Sequence, residues 1–199
     1  MSFEDALVHI QGHTLISRDR LKLLYDKVKE TMNLYGDMAE IGVYRGGSSY
    51  ILGIADPSRF LYVCDSFEGL PETTIEDKME TGYGHGKGNF SDTTMEMVST
   101  LLKDLPNKEI IKGFFPNEII HHQMCDNMYS MVHIDVDLYQ PTLDCLEFFW
   151  DRMVDGGIIV SDDYQWRATP GVKRAFDKFC GDNNIQVNDS GFNSCWIQK

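Results

Sequence analysis

Four aspartates at the ends of two apolar runs carry the densest chemistry in the sequence. YSMVHIDVDLYQ delivers Asp135 and then Asp137, and GGIIVSDDY ends on the adjacent pair Asp162 and Asp163. Crowded carboxylates repel one another unless a cation offsets them. An oxygen-only donor set suits a hard ion such as magnesium, which leaves coordination positions for water or substrate. A hydroxyl in such a position is acidified, and a neighbouring carboxylate can then remove its proton. Asp137 is nominated as that base. An isolated Asp-Asp pair more often just solvates a strand end, but the preceding DVD run shifts the balance toward a site. His133 lies inside an apolar strand and reads as a hydrogen-bonded core histidine, while His121 and His122 read as loop residues.

A second constellation lies upstream. In AEIGVYRGGSS, Glu40, Gly42 and Val43 end an apolar run, Gly46 and Gly47 make a turn, and Ser48 opens a helix. Glycine lets the backbone approach a ligand closely, and free amides at a helix start face the same crevice. Tyr44 stands where a dinucleotide fingerprint needs its second glycine, so NAD is disfavoured. A carboxylate beside the turn suits a cationic ligand instead, and the sulfonium of S-adenosylmethionine is one. Asp65, about 20 residues further on, is placed to accept the ribose hydroxyls of an adenosine. Gly113 with Phe114, and Asp92, are candidates for the adenine face and edge; for Asp92, simple helix capping is an equal alternative.

These residues need strand tips to hold them. Apolar runs at 37–43, 60–65, 109–113, 129–135 and 157–162 predict strands, mostly apolar on both sides as a buried parallel sheet requires. Between them, helices are expected at 48–55, at 92–104 with Ser91 as a cap, at 139–153 and at 170–183 with Pro170 near its start. NIQVND and FNSCWIQ flank Ser190 and Gly191 and predict a terminal antiparallel hairpin. Leu21, Leu24, Tyr25, Val28, Met32 and Tyr35 recur at helical spacing, which predicts a helix over 18–35 packed on the sheet. The fold class is therefore α/β and Rossmann-like: a mostly parallel seven-stranded sheet ending in an antiparallel hairpin, with helices on both faces. Residues 66–90, rich in glycine and without periodicity, read either as a functional lid or as a surface loop.

The chain has 199 residues and a formal charge of -13, with no apolar run of the roughly 20 residues a membrane span needs. A single soluble domain is expected, and the charge argues against nucleic acid or membrane surfaces as partners. Five cysteines without CxxC spacing, and an N-terminus without an export signal, predict a reducing cytoplasm.

Taken in order, EIGVYRGGSS, CDSFEGLPE, GNFSDT, KGFFPNE, HIDVDLYQPTLD and GGIIVSDDY resemble the macrocin O-methyltransferase family, class I metal-dependent enzymes that methylate sugar hydroxyls of macrolide and related antibiotics. The likeness covers roughly residues 37–182. It implies Asp135, Asp162 and Asp163 as ligands of magnesium or a similar ion, with Asp137 as general base; Asp137 and Asp135 are the expected catalytic residues. It implies Glu40, Gly42, Asp65 and Ser66 in the S-adenosylmethionine pocket, and Val43, Gly46, Ser48, Asp92, Gly113, Phe114 and Asp135 complete the expected cofactor-binding set. The acceptor is expected to be a hydroxyl of a sugar or glycoside. Residues 1–36 are expected to form an N-terminal helical segment or lid and 37–199 the cofactor-binding domain, within a single domain overall. Family members carry a longer N-terminal region that contributes to the lid and to dimer contacts, so the expected homodimer and acceptor are the implications this shorter segment weakens. A catechol-like phenol acceptor and a non-catalytic cofactor-binding module are the alternatives.

Overall fold

A computed structural model describes residues 1–79, 81–119 and 123–199; His121 and His122 lie outside them. The chain opens with α1 (Phe3–His9), which the sequence reading left unassigned. Ser2 and Asp5 form a reciprocal capping box that satisfies amides at its start. Helix α2 (Arg18–Glu30) follows, capped by Ser17. It is shorter than expected: Met32 and Tyr35 lie beyond its end and are exposed, so the apolar period outlasts the helix.

Then come β1 (Asp37–Ile41), α3 (Gly47–Ala55) and β2 (Leu61–Asp65). A two-stranded ribbon, β3 (Lys78–Met79) with β4 (Gly82–Tyr83), interrupts the glycine-rich segment. After it run α4 (Met95–Leu101), β5 (Lys108–Lys112), β6 (Tyr129–Ile134), α5 (Tyr139–Trp150), β7 (Met153–Ser161), α6 (Pro170–Asn183), β8 (Asn188–Asp189) and β9 (Cys195–Gln198). Strand β7 begins four residues before the expected boundary at 157. Met153 and Val154 are buried, so residue 153 belongs to the sheet and not to the preceding helix. Helix α4 is capped by Thr94, which accepts the Met97 amide, and not by Ser91.

The seven-stranded sheet has the order β5-β2-β1-β6-β7-β9-β8, as expected parallel except at the terminal hairpin, where β9 runs antiparallel to β7 and β8. Strand order reverses between β1 and β6, which opens a crevice at their carboxyl ends. Alternation along the strands feeds two cores. Met38, Val63, Met131 and Val160 meet Leu24, Val28, Ile51 and Val98 on one face. Ala39, Tyr62, Val132 and Ile159 meet Leu146, Phe149, Val172 and Phe176 on the other. Burying both faces of the sheet fixes the direction of every strand tip.

Candidate active site

A cavity of about 330 Å³ lies at the crevice and joins the glycine turn to the acidic strand tips. Gly42, Val43, Ser48, Asp65, Ser66, Gly113, Phe114, Asp135, Asp137, Asp162 and Asp163 all border it. Most of the residues singled out in the sequence are therefore brought together.

Two local devices shape the turn. Gly42 has φ +85°, and a β-carbon there would lie 1.8 Å from the Asp135 carbonyl oxygen. The glycine thus makes room for the neighbouring strand tip, a demand separate from ligand approach. Asp65 organises the loop: its Oδ2 accepts the amides of Val43 (2.7 Å) and Tyr44 (2.9 Å), and its Oδ1 accepts that of Phe67 (2.7 Å). About one of a carboxylate's roughly four acceptor positions is left over, so Asp65 builds the turn as well as facing the cavity.

Three expected cofactor residues lie off the cavity wall. Glu40 is fully buried beneath the turn, where one oxygen takes the Ser49 hydroxyl and the other sits 2.8 Å from His133 Nδ1. His133 is accordingly a core histidine, as read. Gly46 starts α3 with φ +87° and faces Val98 and Leu101 of α4, so its role is helix packing. Asp92 is exposed and pairs with Arg45 (2.5 Å) and the Tyr44 hydroxyl (3.2 Å). It does not cap α4, where Thr94 does, which corrects the capping alternative, and it stands outside the cavity lining.

At the acidic end, carboxylate oxygens of Asp135, Asp137 and Asp163 lie within 4.8 Å of one another. Asp162 stands outside that trio. It is 4% exposed, and its Oδ2 accepts Arg20 Nη1 at 2.7 Å, while Asp163 Oδ1 accepts the same nitrogen at 3.0 Å. The three expected metal ligands are thus divided by a cation from the N-terminal helix. Burial, followed by the charges of neighbouring aspartates, pushes Asp135 and Asp137 well above the usual carboxylate range and raises Asp162 to about 6. Burial works against the Arg20 charge, but Asp162 and Asp163 outweigh it and raise the guanidinium further. Asp137 and Asp163 both adopt left-handed backbone, φ 60° and 63°, a costly conformation that concentrates at functional sites.

The sequence reading gave the N-terminal segment as a lid but named none of the residues with which it walls the cavity. His13, Thr14, Ile16 and Arg20 border the cavity, and the His13 carbonyl accepts the Gly47 amide at 3.0 Å. No local pattern marks these residues, because Arg20 meets partners 142 and 143 positions away. The glycine-rich segment supplies another wall through Leu70, Pro71, His85 and Phe90, while Trp166 stands half-exposed beside Asp163.

The family model described as macrocin-O-methyltransferase (TylF) matches residues 6–190. A tetracenomycin-type 8-demethyl-8-(2,3-dimethoxy-alpha-L-rhamnosyl)-tetracenomycin-C 4'-O-methyltransferase of Streptomyces olivaceus is 29% identical over 171 residues, covering 77% of this chain and 63% of that protein. Demethyldecarbamoylnovobiocin O-methyltransferase of Streptomyces niveus is 28% identical over 186 residues, covering 84% and 68%. The chain thus spans about two thirds of the length of these relatives. Among solved structures, the O-methyltransferase NovP superposes with a TM-score of 0.78 at 25% identity, over 94% of this chain and 82% of that one.

Proposed function

We propose, for a chain that belongs to the macrocin-O-methyltransferase family, that it transfers a methyl group from S-adenosylmethionine to a hydroxyl oxygen of a sugar or glycosylated small molecule, with the help of a divalent metal ion. The single observation that carries this reading is the continuous cavity from the Gly42 turn to Asp135, Asp137 and Asp163. Similarity to proteins named as methyltransferases of a rhamnosyl tetracenomycin and a novobiocin precursor favours a glycoside acceptor.

In this reading Gly42, Val43 and Ser48 border the amino-acid end of the cofactor, Asp65 and Ser66 its ribose, and Gly113 with Phe114 its adenine. Ser49 and His133 hold Glu40 under the turn, so Glu40 supports it from below. The clustered oxygens of Asp135, Asp137 and Asp163 fit a hard ion, and Asp162 beside them, now paired with Arg20, adds a further carboxylate. Asp135, Asp162 and Asp163 would hold it, and when bound it supplies Lewis acidity toward the acceptor hydroxyl. Asp137 takes the hydroxyl proton. Burial and the adjacent Asp163 strengthen Asp137 as a base. Hydrophobic walls from Leu70, Phe90 and Ile16 exclude water from the transferring methyl.

The test is an acceptor screen with isotopically labelled cofactor. Turnover is expected with glycosides, and Asp137→Asn should lower kcat by about 10²–10⁴-fold with cofactor affinity retained. Turnover with vicinal phenols alone would refute the sugar assignment, and no turnover with any hydroxyl acceptor would refute the enzyme reading.

A further inference from the structure

Resting on the metal reading above, one residue has no role in it: Arg20, in the first turn of α2. Its guanidinium is 17% exposed and donates from one nitrogen to both Asp162 and Asp163, themselves 5% and 14% exposed. Two of the three expected ligands are therefore held by a cation belonging to the chain. Asp162, at 2.7 Å, is the tighter partner, and it is also the carboxylate absent from the clustered trio. A divalent ion bound beside Asp163 faces a fixed positive charge across that same carboxylate. At such short range and in such burial, like charges are strongly repulsive.

The anchor of Arg20 is itself part of the cavity. Ser17 caps α2 by accepting the Arg20 amide, and residues His13 to Ile16 immediately before it form the cavity wall. The seating of that wall and the charge balance of the strand tips consequently share one side chain.

We propose that Arg20 is a positioning residue that competes with the divalent ion: it neutralises Asp162 and Asp163 when the metal is absent, and metal entry displaces it, tying metal occupancy to the seating of residues 13–20. Binding of one cation lowers affinity for the other reciprocally, so metal binding must weaken the hold of the N-terminal wall.

Calorimetric titration of manganese(II) into the full chain, with S-adenosylhomocysteine present, tests this in the wild type, Arg20→Gln and Arg20→Lys. Arg20→Gln is expected to bind the ion about tenfold more tightly than the wild type, with Arg20→Lys in between. Amide hydrogen exchange of the wild type supplies an independent readout: manganese should speed exchange in residues 13–20 and leave α5 unchanged. Equal or weaker metal binding by Arg20→Gln, or slowed exchange of residues 13–20 on adding metal, overturns the competition. Should Arg20→Gln fail to fold, the lysine variant and the exchange experiment decide in the same way. If neither the wild type nor the variants bind manganese, the metal reading itself falls; a wild type that binds while the variants bind no tighter removes only the role of Arg20.

Discussion

At the scale of single residues, the site is an acidic cluster offset by one guanidinium. Asp162, raised to about 6 by burial and then by Asp163, favours the folded state in its protonated form. Its folded pKa exceeds its unfolded value, so the associated stability is fully present below the ordinary carboxylate pKa and disappears as pH rises through about 6. Without metal, the protein is expected to gain melting temperature as pH falls from 7 to 5, and Asp162→Asn should flatten that slope; thermal melts of both proteins across the range measure it. The four aspartates were legible in the sequence because DVD and SDD end apolar runs. The side chain that divides them was not, because ion pairing with Arg20 depends on a helix docking 142 residues upstream in the chain.

Among elements, β1 and β6 define the crevice, and their tips touch. With a β-carbon at Gly42 placed 1.8 Å from the Asp135 carbonyl, Gly42→Ala must push the two tips apart. Loss of S-adenosylhomocysteine binding is expected together with lowered stability, read by calorimetry and by urea unfolding. A different junction ties α2 to the sheet. Arg59 bonds Asp56 at 2.9 Å, the Ser130 hydroxyl at 2.6 Å and the Val28 carbonyl at 3.0 Å, with Arg59 and Asp56 both under 10% exposed. Arg59→Ala leaves the Asp56 charge buried and unpaired, which should cost about 3–5 kcal/mol in urea unfolding. Central strands and the helices that follow them were readable, since a sheet buried on both sides imposes continuous apolar runs. Helix ends were less so: Thr94 and Ser91 are both plausible caps by type, and only the Met97 amide distinguishes them. Helix α1 was not legible: it is short, and its capping box in SFED precedes little periodicity.

For the molecule as a whole, the cavity is assembled from the N-terminal segment, five strand tips and the glycine-rich segment, so ligand binding should stabilise all of them together. At a concentration 100 times its Kd, S-adenosylhomocysteine contributes about 2.7 kcal/mol, expected to raise the melting temperature by roughly 5–10 °C for a domain of this size; a shift under about 1 °C by scanning calorimetry would contradict a preformed cofactor pocket. Among the described residues no helix is long and apolar enough to cross a membrane. Among its contacts with the body, three tie the glycine-rich segment to α5, α6 and the loop before α6. Asp77 accepts the Tyr139 amide at 2.7 Å, Arg174 donates to the Lys78 carbonyl at 3.2 Å, and Gly84 packs against the Ala168 backbone too closely for any side chain. Grafting the equivalent stretch from a relative, with those three docking points preserved, is expected to replace one wall of the cavity while the sheet keeps its melting temperature, and the labelled-cofactor acceptor screen reads whether the accepted hydroxyl changes with it.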